Sequence, residues 1–347
     1  MDKKIVGIVY AYDANDEYKA VVDCGFKWIR VGIPFPWEDK MEGKLSNRYL
    51  KAKETCKEAT ADGLSIMGAT FGMGAYMINR EDKSDTETKW RDSIPDFAGV
   101  KGSDEYYANI RKAAEFMCED LKGLVHGLWQ CMNEIDIPTF AGTYSDDIVS
   151  DTARALADGI VKADPKAMCG INLSHYHDDA LKIADLVYRD GHNFKYLGDD
   201  QYFGSWQSKD VDAWIEVIDI FYARYGLPVL VNEWGYSSGG KVAPERPDPK
   251  ILPLGWPDVC YLKSWFNQVE GGHTPEVQAE YLRKGLKIFA DHPHVLGSFM
   301  FCWKDAVHCY HCGQTECPAE CYWGIVDSDS KPKVSYHVVK DAIKEYY

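Results

Sequence analysis

Val229-Leu230-Val231-Asn232-Glu233-Trp234 is an apolar run that ends in a carboxylate. Its leading residues are hydrophobic without alternation. That pattern suits a strand covered on both faces, as in a parallel sheet, rather than one with a wet face. A second stretch, Trp129-Gln130-Cys131-Met132-Asn133-Glu134, has the same character: apolar residues, then Asn-Glu. Other strand-like runs fall at 5–10, 28–33, 65–70, 167–173, 197–203 and 295–303, which with 126–133 and 228–234 makes eight.

Amphipathic stretches separate them. Ile110, Ala114, Met117 and Leu121 recur at helical spacing, as do Val149, Ala153, Leu156 and Ile160, and then Leu282, Leu286 and Phe289. Thr274-Pro275 reads as an N-cap followed by proline at the first helical position, and Asp164-Pro165 as a stop. Alternating strands and helices predict an α/β protein. Eight strands favour a closed (β/α)8 TIM barrel, one domain over residues 1–347 with long βα loops. The long loops are expected at 79–105 and 236–273, on the carboxyl face where barrels build their sites. There is no glycine-rich phosphate fingerprint after the first strand, which speaks against a dinucleotide fold.

On such a barrel Glu134 and Glu233 end strands four and seven, facing one another across the mouth. Two facing carboxylates suit glycoside hydrolysis: one protonates the leaving oxygen while the other attacks the anomeric carbon. For that division of labour Glu134 must keep its proton near neutral pH, by burial and by a neighbouring negative charge.

The strand-four Asn-Glu, the strand-seven Glu and the tail Trp323-Gly324-Ile325-Val326-Asp327 resemble glycoside hydrolase clan A, which includes family-five cellulases and mannanases and β-galactosidase relatives. The resemblance spans nearly the whole chain. It implies a retaining β-glycosidase with Glu134 as acid/base and Glu233 as nucleophile. It places Arg30, in Trp28-Ile29-Arg30-Val31, on the nucleophile, and Asn133 on the sugar 2-OH. Tyr202, in Asp200-Gln201-Tyr202, falls on the nucleophile and Trp303 on the floor of the sugar site. Thr274-Pro275-Glu276-Val277-Gln278-Ala279 is similar to the clan's helix-seven opening. Asp200 departs from the pattern, since several clan families carry histidine two residues before that tyrosine. Further substrate contacts are expected from His175, in His175-Tyr176-His177, and from Trp37, with Trp206, Trp234 and Trp256 as other sugar platforms.

No catalytic cofactor is implied. A separate feature is Cys309, Cys312, Cys317 and Cys321, whose spacing would let four thiolates close a structural zinc site; disulfides and free thiols are the alternatives. The net charge of −15 argues against nucleic acid and anionic membranes as partners, and the resemblance implies a carbohydrate substrate. The apolar stretch at the N-terminus is too short for a secretory signal, so a cytoplasmic location is expected, though a chain with its signal removed would read the same. Two competing functions are a carbohydrate-binding pseudoenzyme and a metal-dependent barrel hydrolase. The second lacks a His-x-His after strand one, where Tyr10-Ala11-Tyr12-Asp13 stands.

Overall fold

A computed structural model describes residues 4–9, 17–77, 89–240, 263–309 and 315–347. Parallel strands form the centre: β1 (Ile5–Val9), β2 (Trp28–Ile33), β3 (Ser65–Thr70), β4 (Leu128–Gln130), β5 in two pieces (Met168–Gly170 and Asn172–Leu173), β6 (Leu197–Gln201), β7 (Val229–Trp234) and β8 (Val295–Phe301). Each pairs with its sequence neighbours, and β1 closes onto β8. The pieces of β5 stand at the two ends of the hydrogen-bonded order. The first pairs with β4 and the second with β6, so the sheet shuts into a barrel at the break around Ile171. A helix follows each strand: α1 (Tyr18–Cys24), α2 (Asn47–Ala61), α3 (Asp104–Asp120), α4 (Asp146–Ala163), α5 (Asp178–Val187), α6 (Ala213–Tyr225), α7 (Pro275–Asp291) and α8 (Val334–Tyr346).

The strands read as unbroken apolar runs because both faces are covered. One face fills the barrel: Val9, Met67, Leu128, Tyr196, Leu230 and Phe299 pack together. The alternate residues, among them Ile8, Ile29, Ile66, Trp129 and Val231, meet the helices in the larger outer core. The period of two along each strand sorts them. On α4 the predicted stripe Val149, Ala153, Leu156 and Ile160 is buried. Burying a Leu or Ile side chain contributes roughly 1.5–3 kcal/mol, and this stripe holds α4 in place. Thr274 caps α7 as expected, its Oγ1 accepting from the Val277 N–H at 3.2 Å.

Two differences from the sequence reading bear on the site. The segment 79–105 was expected to be loop. Its described part joins an antiparallel ribbon, Gly74–Met77 with Lys89–Asp92, and a single 3-10 turn, Asp96–Ala98. The 236–273 segment lies largely outside the described residues. Strand β4 also ends earlier than expected, at Gln130. Among the described residues no helix is long and apolar enough to cross a membrane.

The barrel wall is tight beside the site. A Cβ added at Gly198 on β6 would come within 2.2 Å of both the Ile171 carbonyl and the Asn232 side chain. Gly198→Ala should therefore lower stability by about 1–3 kcal/mol through overpacking against backbone, read as a fall in denaturation midpoint. An unchanged midpoint would mean that this stretch of wall is soft.

Candidate active site

β7 carries a register shift. Val231 pairs with Asp199, yet Glu233 pairs with Asp200, so one extra residue enters β7 at Asn232. A bulge of this kind re-aims the side chains that follow it. Here Asn232 turns toward Gly198 and the Ile171 carbonyl, and Glu233 meets partners from other strands. Arg30 on β2 donates from Nη2 to Glu233 Oε1, and the Tyr202 hydroxyl, just past β6, donates to Glu233 Oε2. Glu233 is only 5% exposed. Both carboxylate oxygens thus accept from a donor in a place that water barely reaches. Burial alone would pull the Arg30 guanidinium down, but the Glu233 charge and hydrogen bond leave it raised. Burial and then the charge of Glu233 hold the Tyr202 phenol well above its ordinary range, so it stays a donor.

Glu134 lies four residues past β4, on backbone that no motif foretold. Met132 and Glu134 both have positive φ, 69° and 38°. Such conformations cost roughly 1–3 kcal/mol each and persist where the surroundings impose them. Three contacts do so. The Met132 N–H donates to Thr70 Oγ1 at 3.0 Å, the Ile135 N–H to the Asn172 carbonyl at 3.1 Å, and Gln130 Nε2 to the Met132 carbonyl at 3.1 Å. Glu134 keeps a partly open face although protein packs closely around it. Desolvation first, then the charge of Glu233, push its carboxyl up to about 8; a hydrogen bond with Asp200 and the charge of Arg30 act the other way.

The two glutamates are wired together. Arg30 Nη1 donates to Gln130 Oε1 at 3.1 Å. Gln130 Nε2 also donates to Asn133 Oδ1 at 3.0 Å, and Asn172 Nδ2 donates to the same oxygen at 2.9 Å and to Asp200 Oδ2 at 2.8 Å. Strands β2, β4, β5, β6 and β7 all contribute to, or lead directly into, this one network at their carboxyl ends. The site unites Arg30, Asn133, Glu134, Tyr202 and Glu233, each named from sequence. It adds Gln130, Asn172 and Asp200, which sequence reasoning did not assign a role. Only Asp200 carried a signal, as a departure from a motif.

No protein-family profile and no curated protein matches the sequence. Solved structures do match the fold. A fungal β-1,4-galactanase is 15% identical, with 97% of this chain and 94% of that one covered at a TM-score of 0.64. Xylanase 10B from Thermotoga maritima is 13% identical, with 99% and 95% covered at 0.64. A GH5_18 protein from Streptomyces cattleya, solved in complex with Manβ1-4GlcNAc, is 14% identical, with 99% and 81% covered at 0.66. The chain shares the barrel fold of solved glycosidases.

Several expected contacts are placed elsewhere or turned away. Trp303 does not floor the mouth. Phe299 fills the barrel and Phe301 packs against the same cluster by the two-residue alternation, but the ladder ends at Phe301 and the chain then carries Trp303 into the outer core. There its ring meets Tyr336 at 6.0 Å and its Nε1 donates to Glu17 at 2.6 Å. The aromatic rings beside Tyr202 are Trp323, at 4.8 Å, and Phe301, at 5.7 Å. Trp37 is likewise core, 4% exposed and packed on Phe35 and Phe116. Trp234 is fully buried against Phe289, Trp206 packs on the cysteine cluster, and Trp256 lies outside the described residues. His175 stands near the site but is turned to carboxylates, 3.4 Å from Asp136 and 3.7 Å from Asp179.

The zinc expectation gains no support. Cys309, Cys317 and Cys321 are buried in one small cluster, while Cys312 lies outside the described residues. Among the described residues no group of three His, Cys, Asp or Glu side chains is placed to hold a metal. A hollow lined by Lys4, Asp23, Trp28 and Tyr347 opens at the amino end of the barrel, away from this chemistry.

Proposed function

We propose that the chain is a retaining β-glycosidase acting on β-linked oligosaccharides or glycosides by double displacement. Glu233 is the nucleophile and Glu134 the general acid, then base. The observation that carries this reading is the division of the two glutamates. One has both oxygens occupied by Arg30 and Tyr202; the other is held protonated by its surroundings near neutral pH. Two carboxyls on facing strands, one gripped by two donors and the other kept protonated, are what acid-assisted displacement at a sugar requires.

In the first step Glu233 attacks the anomeric carbon as Glu134 gives its proton to the departing oxygen. A covalent glycosyl ester on Glu233 results. That ester removes the negative charge facing Glu134, so Glu134 becomes a stronger acid than before and rests as a carboxylate. It then takes a proton from water, whose oxygen displaces Glu233 from the same sugar face that the leaving group left. Asn133 spends Oδ1 on Gln130 and Asn172, which leaves its NH2 for the sugar 2-OH.

The test is mechanism-based trapping. A 2-deoxy-2-fluoro aryl β-glycoside should label the peptide that contains Glu233, with a sugar-sized mass increase; label on another residue would sink the assignment. Substrate screening should begin with β-1,4-linked galactosides, xylosides and mannosides, since proteins of similar fold are named for or bound to them. Tyr202→Phe should cut kcat/KM about ten- to a hundredfold, the scale of a lost hydrogen bond to a charged group. An unaltered rate in a folded variant would remove Tyr202 from the machinery.

A further inference from the structure

A third carboxyl stands beside Glu134, and the mechanism above gives it no part. Asp200, the fourth residue of β6, is 1% exposed. Its Oδ2 accepts from Asn172 Nδ2 at 2.8 Å. Its carboxyl is also in hydrogen-bonding contact with that of Glu134. Charged and titratable groups surround the pair on every side: Glu233 from β7, Arg30 from β2, Tyr202 just past β6, Asp199 next in sequence, and Asp136 with His175 from the loops after β4 and β5. Arg30 is spent on Glu233, and His175 is turned to Asp136 and Asp179.

Two bare carboxylates cannot rest in hydrogen-bond contact, because each presents only acceptors and the charges repel. The contact requires a proton on one of them. Glu134 must release its proton in every turnover. Asp200 is all but closed to water and, among the described residues, has no cation of its own, so the proton that stays belongs there.

We propose, on the glycosidase reading above, that Asp200 is a positioning residue: a neutral carboxylic acid whose O–H donates to Glu134, fixes its orientation and holds the carboxylate formed when Glu134 protonates the leaving group. Asn172 secures the other Asp200 oxygen, which sets the direction of that O–H. The proton of Asp200 stays with Asp200 throughout; the transferred proton leaves Glu134 and is replaced from water. Burial, then the charges of Glu134 and Glu233, drive the Asp200 carboxyl well above its ordinary range, in agreement with a neutral acid.

The test pairs Asp200→Asn with Asp200→Ala on an aryl β-glycoside, followed across pH. An asparagine NH2 can donate to Glu134 while its oxygen accepts from Asn172. Asp200→Asn should therefore keep kcat within about threefold and leave the basic limb of the profile in place. Asp200→Ala removes the donor, so the limb should rise by about one pH unit, with kcat down about tenfold. A limb that falls by about a unit in Asp200→Asn would show that a negative charge had been removed, and would overturn the proposal. An unmoved limb in Asp200→Ala would do the same. Infrared difference spectra give a second readout, independent of turnover. A carbonyl band of a buried neutral carboxylic acid should appear in the parent-minus-Asp200→Asn difference spectrum, and its absence there would count against the idea. Should Asp200→Ala not fold, Asp200→Asn and the spectra decide alone. Failure of the glycosidase reading itself would show differently, as no turnover of any β-glycoside by the parent chain.

Discussion

Glu233→Ala should lower turnover by on the order of 10⁵-fold, the scale on which loss of a covalent nucleophile acts. The reason is local. Arg30 and Tyr202 hold both carboxylate oxygens, and Gln130 holds Arg30 in turn, so no other group in the network is free to take the nucleophile's place. Truncation at Cβ opens a small polar hole lined by those same donors. Azide fits such a hole in charge and size. With a dinitrophenyl β-glycoside, whose leaving group needs little acid help, azide should restore part of the rate and yield the α-glycosyl azide. Its configuration would be inverted, because the anion enters from the face that Glu233 vacates. A β-configured azide, or activity near that of the parent chain, would exclude Glu233 as nucleophile. The variant also leaves Arg30 without its counter-charge at a site nearly closed to water, so stability should be followed alongside the rates.

How much of this was legible before the fold was known depended on what each residue's chemistry says without its neighbours. The limits of β2 and β3 coincide with the runs read from sequence, because an apolar run covered on both faces has no competing interpretation. The run 126–133 overstated β4. Met132 and Glu134 adopt left-handed backbone that neither residue type advertises, and contacts from Thr70 and Asn172, distant in sequence, impose it. The tryptophans failed for another reason. A ring that could stack on a sugar looks the same as one that fills a core. For Trp303 the outcome turned on where the β8 ladder ends, two residues upstream. Asp200 was visible only as a mismatch; its meaning needed Glu134 and Asn172 around it. The bulge at Asn232, which aims Glu233, had no sequence mark.

Glu134→Gln should show its effect in two measurements whose signs follow from one cause. The parent chain needs Glu134 protonated, and its carboxyl is held up to about 8. kcat/KM should therefore run level on the acid side of that value and drop by about tenfold per pH unit above it. Glutamine cannot give a proton. Its variant should lose about 10²–10⁴-fold on glycosides with poor leaving groups, far less on dinitrophenyl glycosides, and should lose the basic limb altogether. In Glu134→Ala, azide should now give the β-glycosyl azide, since it enters from the face of the missing base. The stability measurement concerns the same proton. In the unfolded chain this carboxyl returns to its ordinary value of 4.5. Between there and about 8 the fold holds a proton that the unfolded chain has released. The contribution of Glu134 is thus complete at low pH and is lost as pH rises through that window, by up to about 1.4 kcal/mol per pH unit. Glutamine has no such proton to lose. Thermal midpoints of the two proteins should diverge in favour of Glu134→Gln as pH climbs from 5 to 8, while the parent's lead in turnover stays level and narrows only as pH nears 8 and beyond. Parallel stability curves would mean that Glu134 is ionised in the fold at neutral pH, and an ionised Glu134 could not serve as the acid.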